Sequence, residues 1–219
     1  MSQLLSHQIN TQEIEALVSN MKKRIQHEGD TENSTSKERL EMLDDLKQCE
    51  LGKFLLKNQG LNGYWTHYIL TRPWQKQKTK LKNKTEQFIL DNAPTSIATQ
   101  QRFIHFLKEN QKLVKNGACL ASLPCGMLGE LLYLDFSKIK DFKFIGIDLD
   151  EKTFEDAKSL AKKQSLLEKT EFIQKNAWDL SEIGEADHLV HERESGSGRG
   201  GHSPGAGPTR APHHSRGGN

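Results

Sequence analysis

Residues 118–179 alternate an apolar run, a glycine turn, an amphipathic stretch, an acid-ended apolar run, a second amphipathic stretch and a third apolar run. Strands that alternate with helical segments form βαβ units, so the segment predicts an α/β fold with a parallel sheet. The run Ala118-Cys119-Leu120-Ala121-Ser122-Leu123 has the length and small side chains of a buried parallel strand. In the turn Pro124-Cys125-Gly126-Met127-Leu128-Gly129-Glu130, Gly126 can take backbone angles closed to other residues and lets a ligand come close to the main chain. A helix starting near Leu128 would aim its first amides at that ligand.

The second strand, Phe142-Lys143-Phe144-Ile145-Gly146-Ile147-Asp148, ends in a carboxylate 22 positions after Gly126. An acid at that spacing accepts the ribose hydroxyls in nucleotide-binding folds. A helix over residues 150–167 carries Phe154, Ala157 and Ala161 on one stripe, with Asp150 as its N-cap. The third strand, Thr170-Glu171-Phe172-Ile173-Gln174, runs into Asn176-Ala177-Trp178-Asp179, at the end of the sheet where open α/β folds bind ligands. Each residue also has a plainer reading. Gly126 serves as a turn, Asp148 caps the next helix, and Trp178 fills a core edge.

Over residues 62–183 the chain resembles the class I S-adenosylmethionine-dependent methyltransferases. Their first motif carries an acid and three glycines; here the acid position is Ser122, Pro124 and Leu128 stand at two glycine positions, and Gly126 matches. The resemblance implies a Rossmann-like α/β sheet beneath an N-terminal helical cap, with S-adenosyl-L-methionine as cofactor. It places Cys125 and Gly126 along the methionine part and Ser122 at the amino group. Asp148 falls on the ribose, Leu149 on the adenine face, Asn176 and Ala177 at the adenine edge, and Trp178 over one face. The reaction implied is in-line attack of an unidentified methyl acceptor on the sulfonium methyl, promoted by proximity and alignment.

The N-terminal hundred residues read as helical. Asn10 and Glu13 have capping-box spacing ahead of Ile14, Leu17, Val18, Met21 and Ile25, and Thr35 and Glu38 repeat it ahead of a second helix ending at Gly60. The aromatic cluster at Tyr64, Trp65, His67 and Tyr68 follows. In the resembling enzymes the cap contributes to substrate choice, so Tyr64 and Trp65 are candidates for a pocket wall, with packing between cap and sheet as the alternative. His67 reads as a hydrogen-bonded packing residue before a base or ligand. Lys76, Lys78, Lys80, Lys82 and Lys84 form a basic loop, and a helix over residues 95–116 leads to the first strand, with Gly117 as its stop.

A formal net charge of +2 gives little ground for a nucleic-acid partner beyond this loop and the basic tail, and no run is long enough to span a bilayer. Cys49, Cys119 and Cys125 have no metal-type spacing and are odd in number. With no signal-peptide pattern, they predict a cytoplasmic protein.

The final segment changes alphabet. All lysines lie before Asn176, whereas Arg193, Arg199, Arg210 and Arg216 follow His191, and from Gly196 onward the residues are mainly Gly, Ser, Pro, Arg, His and Ala. Such a segment cannot offset its ordering entropy. The switch near residues 184–187 from residue types with AT-rich codons (Lys, Asn, Ile, Phe) to types with GC-rich codons (Gly, Pro, Arg, Ala) predicts a frame disruption or fused sequence, with a native Gly/Arg-rich tail as the alternative. His202, His213 and His214 lack the ordered scaffold a metal site needs. The expected organisation is therefore a helical cap and basic loop at 1–94, an incomplete cofactor-binding domain at 95–185 and a disordered tail at 186–219. Three strands are recognisable, residues 187–190 pass as a stub of a fourth, and the open edge of the first strand predicts low solubility. The leading reading is a methyltransferase. The alternatives are a dinucleotide-binding oxidoreductase fragment, which retains Gly126, Gly129 and Asp148, and a non-enzymatic interaction protein with a basic tail.

Overall fold

The computed structural model describes residues 11–75, 80–176 and 188–190. Helix α1 (Thr11–Glu28) buries Ile14 and Val18 against Leu43 and Leu56, with Leu17, Met21 and Ile25 flanking them. This is the apolar face that the sequence spacing predicts. Helix α2 (Ser36–Leu46) opens with a complete capping box: Glu38 N–H donates to the Thr35 hydroxyl at 3.2 Å, and Thr35 N–H donates to the Glu38 carboxylate at 2.8 Å. The helix expected to run on to Gly60 is instead two. The chain leaves α2, passes through extended Cys49 and re-enters helix at α3 (Glu50–Asn58). Gly52 makes that bend feasible, because a Cβ there would lie 2.1 Å from the Leu46 carbonyl oxygen. Gln59, in the left-handed conformation, ends α3 in place of Gly60.

Helix α4 (Gly63–Leu70) is capped by the Asn62 side chain, and the short α5 (Arg72–Gln75) and α6 (Lys84–Gln87) lead to a π-helical turn at Phe88–Asn92. Arg72 and Asp91 form a buried two-pronged ion pair, each N–O distance 3.0 Å, between α5 and that turn. Helix α7 (Pro94–Gln111) begins with proline in its first turn, where the missing N–H has no helical partner to lose. The buried Gln100 amide donates to the carbonyls of Ile69 and Leu90 at 3.1 and 2.9 Å, pinning α7 to α4 and the π turn. The helix stops at Gln111 rather than at 116; Gly117, at φ +80°, serves the turn into the sheet.

Strands β1 (Ala118–Ser122), β2 (Phe142–Asp148), β3 (Thr170–Gln174) and β4 (His188–Val190) form a parallel sheet in the order β3-β2-β1-β4. Its two faces follow the period of two. Ala118, Leu120, Phe142 and Phe144 pack with Leu131, Leu132, Phe154, Leu160 and Ala161, while Ala121, Leu123, Ile145 and Ile147 form a second apolar cluster. Two-sided burial accounts for the near-continuous apolar runs in β1 and β2. The fold is thus mixed α/β.

Three expectations change. The helix after the glycine turn, α8, is a single turn at Gly129–Leu132, and it starts after Leu128, which adopts a positive φ of 56°. Helix α9 (Glu151–Lys163) ends before residue 167, where Ser165 turns left-handed. The stub of a fourth strand expected at 187–190 is present as β4 and pairs with Leu120, Ala121 and Ser122, so the edge of β1 expected to be open is covered at that end. Apart from β4, the tail and its proposed frame switch lie outside the described residues.

Candidate functional site

The candidate site gathers at the carboxyl ends of β1 and β2. The Gly126 N–H donates to Asp148 Oδ2 at 2.9 Å, and the Asp150 N–H donates to Oδ1 at 3.1 Å. Gly126 has φ +45°, a conformation that favours glycine, and Cys125 N–H donates to the Ile147 carbonyl at 2.8 Å. The glycine turn is thereby sewn to the end of β2. Each Asp148 oxygen still has acceptor capacity beyond these single bonds, enough for a pair of vicinal hydroxyls. Beside it Leu149 is 65% exposed, and Asn176 is exposed just beyond β3. Ala177 and Trp178 lie outside the described residues.

Ser122 and Cys125 are placed differently from what their motif positions imply. The Ser122 hydroxyl is fully buried and donates a short hydrogen bond to the buried Glu130 carboxylate. Cys125 is also buried, its sulfur turned against β2, where a Cβ on Gly146 would meet it at 3.1 Å. Burial foremost, then the charges of Asp148 and Glu130, holds that thiol far above the ordinary range. Cys125 therefore offers the site its backbone and not a reactive sulfur.

The cap reaches the site through α4. A Cβ on Gly63 would sit 2.6 Å from Thr153 Cγ2 and 3.1 Å from Gly126 Cα, so the first turn of α4 rests directly on the glycine turn and on α9. The close approach that Gly126 permits is made here by Gly63. Thr153 is itself held by a 2.9 Å bond to the Asp150 carboxylate. The two aromatic candidates separate: Tyr64 packs against both the sheet cluster and the cap cluster, whereas Trp65 is buried in the cap, edge-on to Tyr64 and Tyr68. Tyr64 thus stands at the boundary between cap and sheet, and Trp65 packs within the cap.

His67 Nε2 lies 3.0 Å from the Tyr133 hydroxyl, with the rings stacked at 5.7 Å. Burial lowers its pKa from the ordinary 6.5 to about 4, so the imidazole is neutral at physiological pH. It is the hydrogen-bonded packing residue of the plainer reading. Among the described residues no group of three His, Cys, Asp or Glu side chains could hold a metal ion, and no helix is long and apolar enough to cross a membrane.

Sequence reasoning missed Gly63 and Glu130. For Glu130 the signal was present: a lone acid inside the apolar run Leu128-Gly129-Glu130-Leu131-Leu132, where a charged side chain is either exposed or engaged.

No family model matches the chain, and no curated protein matches it. Among solved structures it is similar to a possible exported protein from Bordetella parapertussis, at 29% sequence identity and a TM-score of 0.74 over 87% of this chain. The chain spans 63% of that protein's length.

Proposed function

We propose that the chain is an S-adenosylmethionine-dependent methyltransferase with a Rossmann-like sheet. The observation that carries this reading is the bond from Gly126 N–H to Asp148, which brings the glycine turn and the strand-end acid together at the carboxyl edge of a parallel sheet. The order β3-β2-β1-β4 supports it, since it matches the first four strands of the 3-2-1-4-5-6 order of doubly wound nucleotide-binding sheets.

The residues present suit an S-adenosyl group. Asp148 accepts from the ribose hydroxyls, exposed Leu149 covers one adenine face, and Asn176 supplies an amide at the adenine edge. The cofactor brings the activated methyl group on its sulfonium. The chain's part is to orient it: Asp148, tied to the glycine turn, holds the sugar, and α4, seated on that turn through Gly63, brings Tyr64 to the boundary between cap and sheet. The methyl acceptor is a separate, unidentified partner, and the cytoplasm is the setting we propose from the three free thiols.

The test is a competition between S-adenosylhomocysteine and NAD, followed by titration calorimetry and thermal shift. S-adenosylhomocysteine is expected to bind and raise Tm, and Asp148→Ala to weaken that binding at least about tenfold, the effect of losing hydrogen bonds to a charged acceptor. Binding of NAD in its place would support an oxidoreductase fragment. Binding of neither would support an interaction protein.

A further inference from the structure

The two carboxylate oxygens of Asp148 begin and end a ring of contacts that passes through the cap. From Oδ2 a 2.9 Å bond leads to the Gly126 N–H, and the Gly126 backbone lies against Gly63, where a Cβ would stand 3.1 Å from the Gly126 Cα. From Oδ1 a 3.1 Å bond leads to the Asp150 N–H, and the Asp150 carboxylate accepts the Thr153 hydroxyl at 2.9 Å. The ring closes at the Thr153 γ-methyl, which that same Cβ on Gly63 would meet at 2.6 Å. Gly126, Asp148, Asp150 and Thr153 belong to the sheet and its connections, whereas Gly63 is the first residue of α4.

Thr153, only 4% exposed, gives the ring two separable contacts. Its hydroxyl holds Asp150, and its methyl bears the cap. A group bound to Asp148 acts on both carboxylate oxygens, so it stiffens both arms of the ring, and the arms meet at Gly63. We infer that Thr153 couples occupation of the sugar site on Asp148 to the seating of α4. A ligand there holds the cap down, and the seated cap holds the ligand by the same factor, because coupling between two sites is reciprocal. The inference rests on the methyltransferase reading, which supplies the sugar. Thr153 is a positioning residue that acts through Asp150 and Gly63.

The plainer role for Thr153 is to fasten the first turn of α9, whose N-cap is Asp150. Two substitutions separate the roles: Thr153→Ser keeps the hydroxyl and removes the methyl, and Thr153→Val keeps a methyl and removes the hydroxyl. The experiment follows amide hydrogen exchange of α4 in the full chain and both variants, with and without saturating S-adenosylhomocysteine, and measures the affinity by calorimetry. Exchange of α2, which takes no part in the ring, reports the change in global stability. In the wild type, S-adenosylhomocysteine is expected to slow α4 exchange about fivefold or more beyond any slowing of α2. Each variant is expected to lose most of that slowing and to bind more weakly by a similar factor, and Thr153→Val carries the test if the Ser variant does not fold. Binding that slows α4 no more than α2, or variants that lower Tm while the slowing and the affinity stay as in the wild type, overturns the inference and leaves the methyltransferase reading standing. If the wild-type chain does not bind S-adenosylhomocysteine, the methyltransferase reading fails and takes this inference with it.

Discussion

Gly63, the first residue of α4, lies against Gly126 so closely that a methyl group on it would stand 3.1 Å from the Gly126 Cα and 2.6 Å from Thr153 Cγ2. Two backbones, one from the cap and one from the sheet, thus meet with no side chain between them. The join between the two halves is as tight as their chemistry allows.

Gly63→Ala must displace either α4 or the Thr153 side chain, an overpacking change that costs about 1–3 kcal/mol. A lowered Tm is expected, and with it weaker S-adenosylhomocysteine binding. An unchanged melting curve would show that α4 is not seated on the glycine turn.

The Arg72–Asp91 pair is buried, with Arg72 side-chain exposure of 5% and Asp91 of 13%. Its bond to Asp91 raises the already high pKa of Arg72. Asp91→Ala leaves the guanidinium buried without its main partner and is expected to destabilise the chain by about 3–5 kcal/mol. Denaturant melts would read this directly. A loss below about 1 kcal/mol would mean that the pair is solvated in solution.

His67 gives stability a defined pH dependence. Its folded pKa, about 4, lies below the ordinary 6.5, so between these values the unfolded chain binds the extra proton. The neutral-imidazole contribution is complete above about pH 6.5 and is lost as pH falls toward 4. The gap between the two pKa values corresponds to roughly 3 kcal/mol at most. His67→Gln should flatten the fall in Tm across that window, and an identical slope in the variant would contradict the assignment.

Cys49 and Cys125 are buried, and burial pushes both thiols above their ordinary range. Neither should alkylate in the folded chain, and half-buried Cys119 should react first. Mass spectrometry of iodoacetamide adducts with and without urea checks this. Rapid labelling of Cys125 in the native chain would show that the glycine turn opens.

The strands and the site's two anchor residues were legible in the sequence because they depend on local pattern. Phe142–Asp148 and Thr170–Gln174 fall where the apolar runs predict, and the two residues singled out by their spacing, Gly126 and Asp148, are bonded to each other. Helix ends were less legible. The break between α2 and α3 goes with Gly52 nesting against Leu46, and the start of α8 with the left-handed turn at Leu128; both are backbone arrangements that apolar periodicity does not carry. The lone acid in its apolar run marks Glu130 as engaged, but nothing local says that its donor is the Ser122 hydroxyl, eight positions earlier.

The pairing of β4 with β1 has a consequence for the order of assembly. Strands β1, β2 and β3 can come together as the chain emerges, each joined to the next through its own connection. The contacts of Leu120 with His188 and of Ser122 with Val190 span both of the intervening strands. Loop closure makes such distant parallel pairing slow relative to local contacts. Until His188–Val190 docks, the amides and carbonyls at that end of β1 stay open to any passing strand, and the late arrival of β4 is what closes that template.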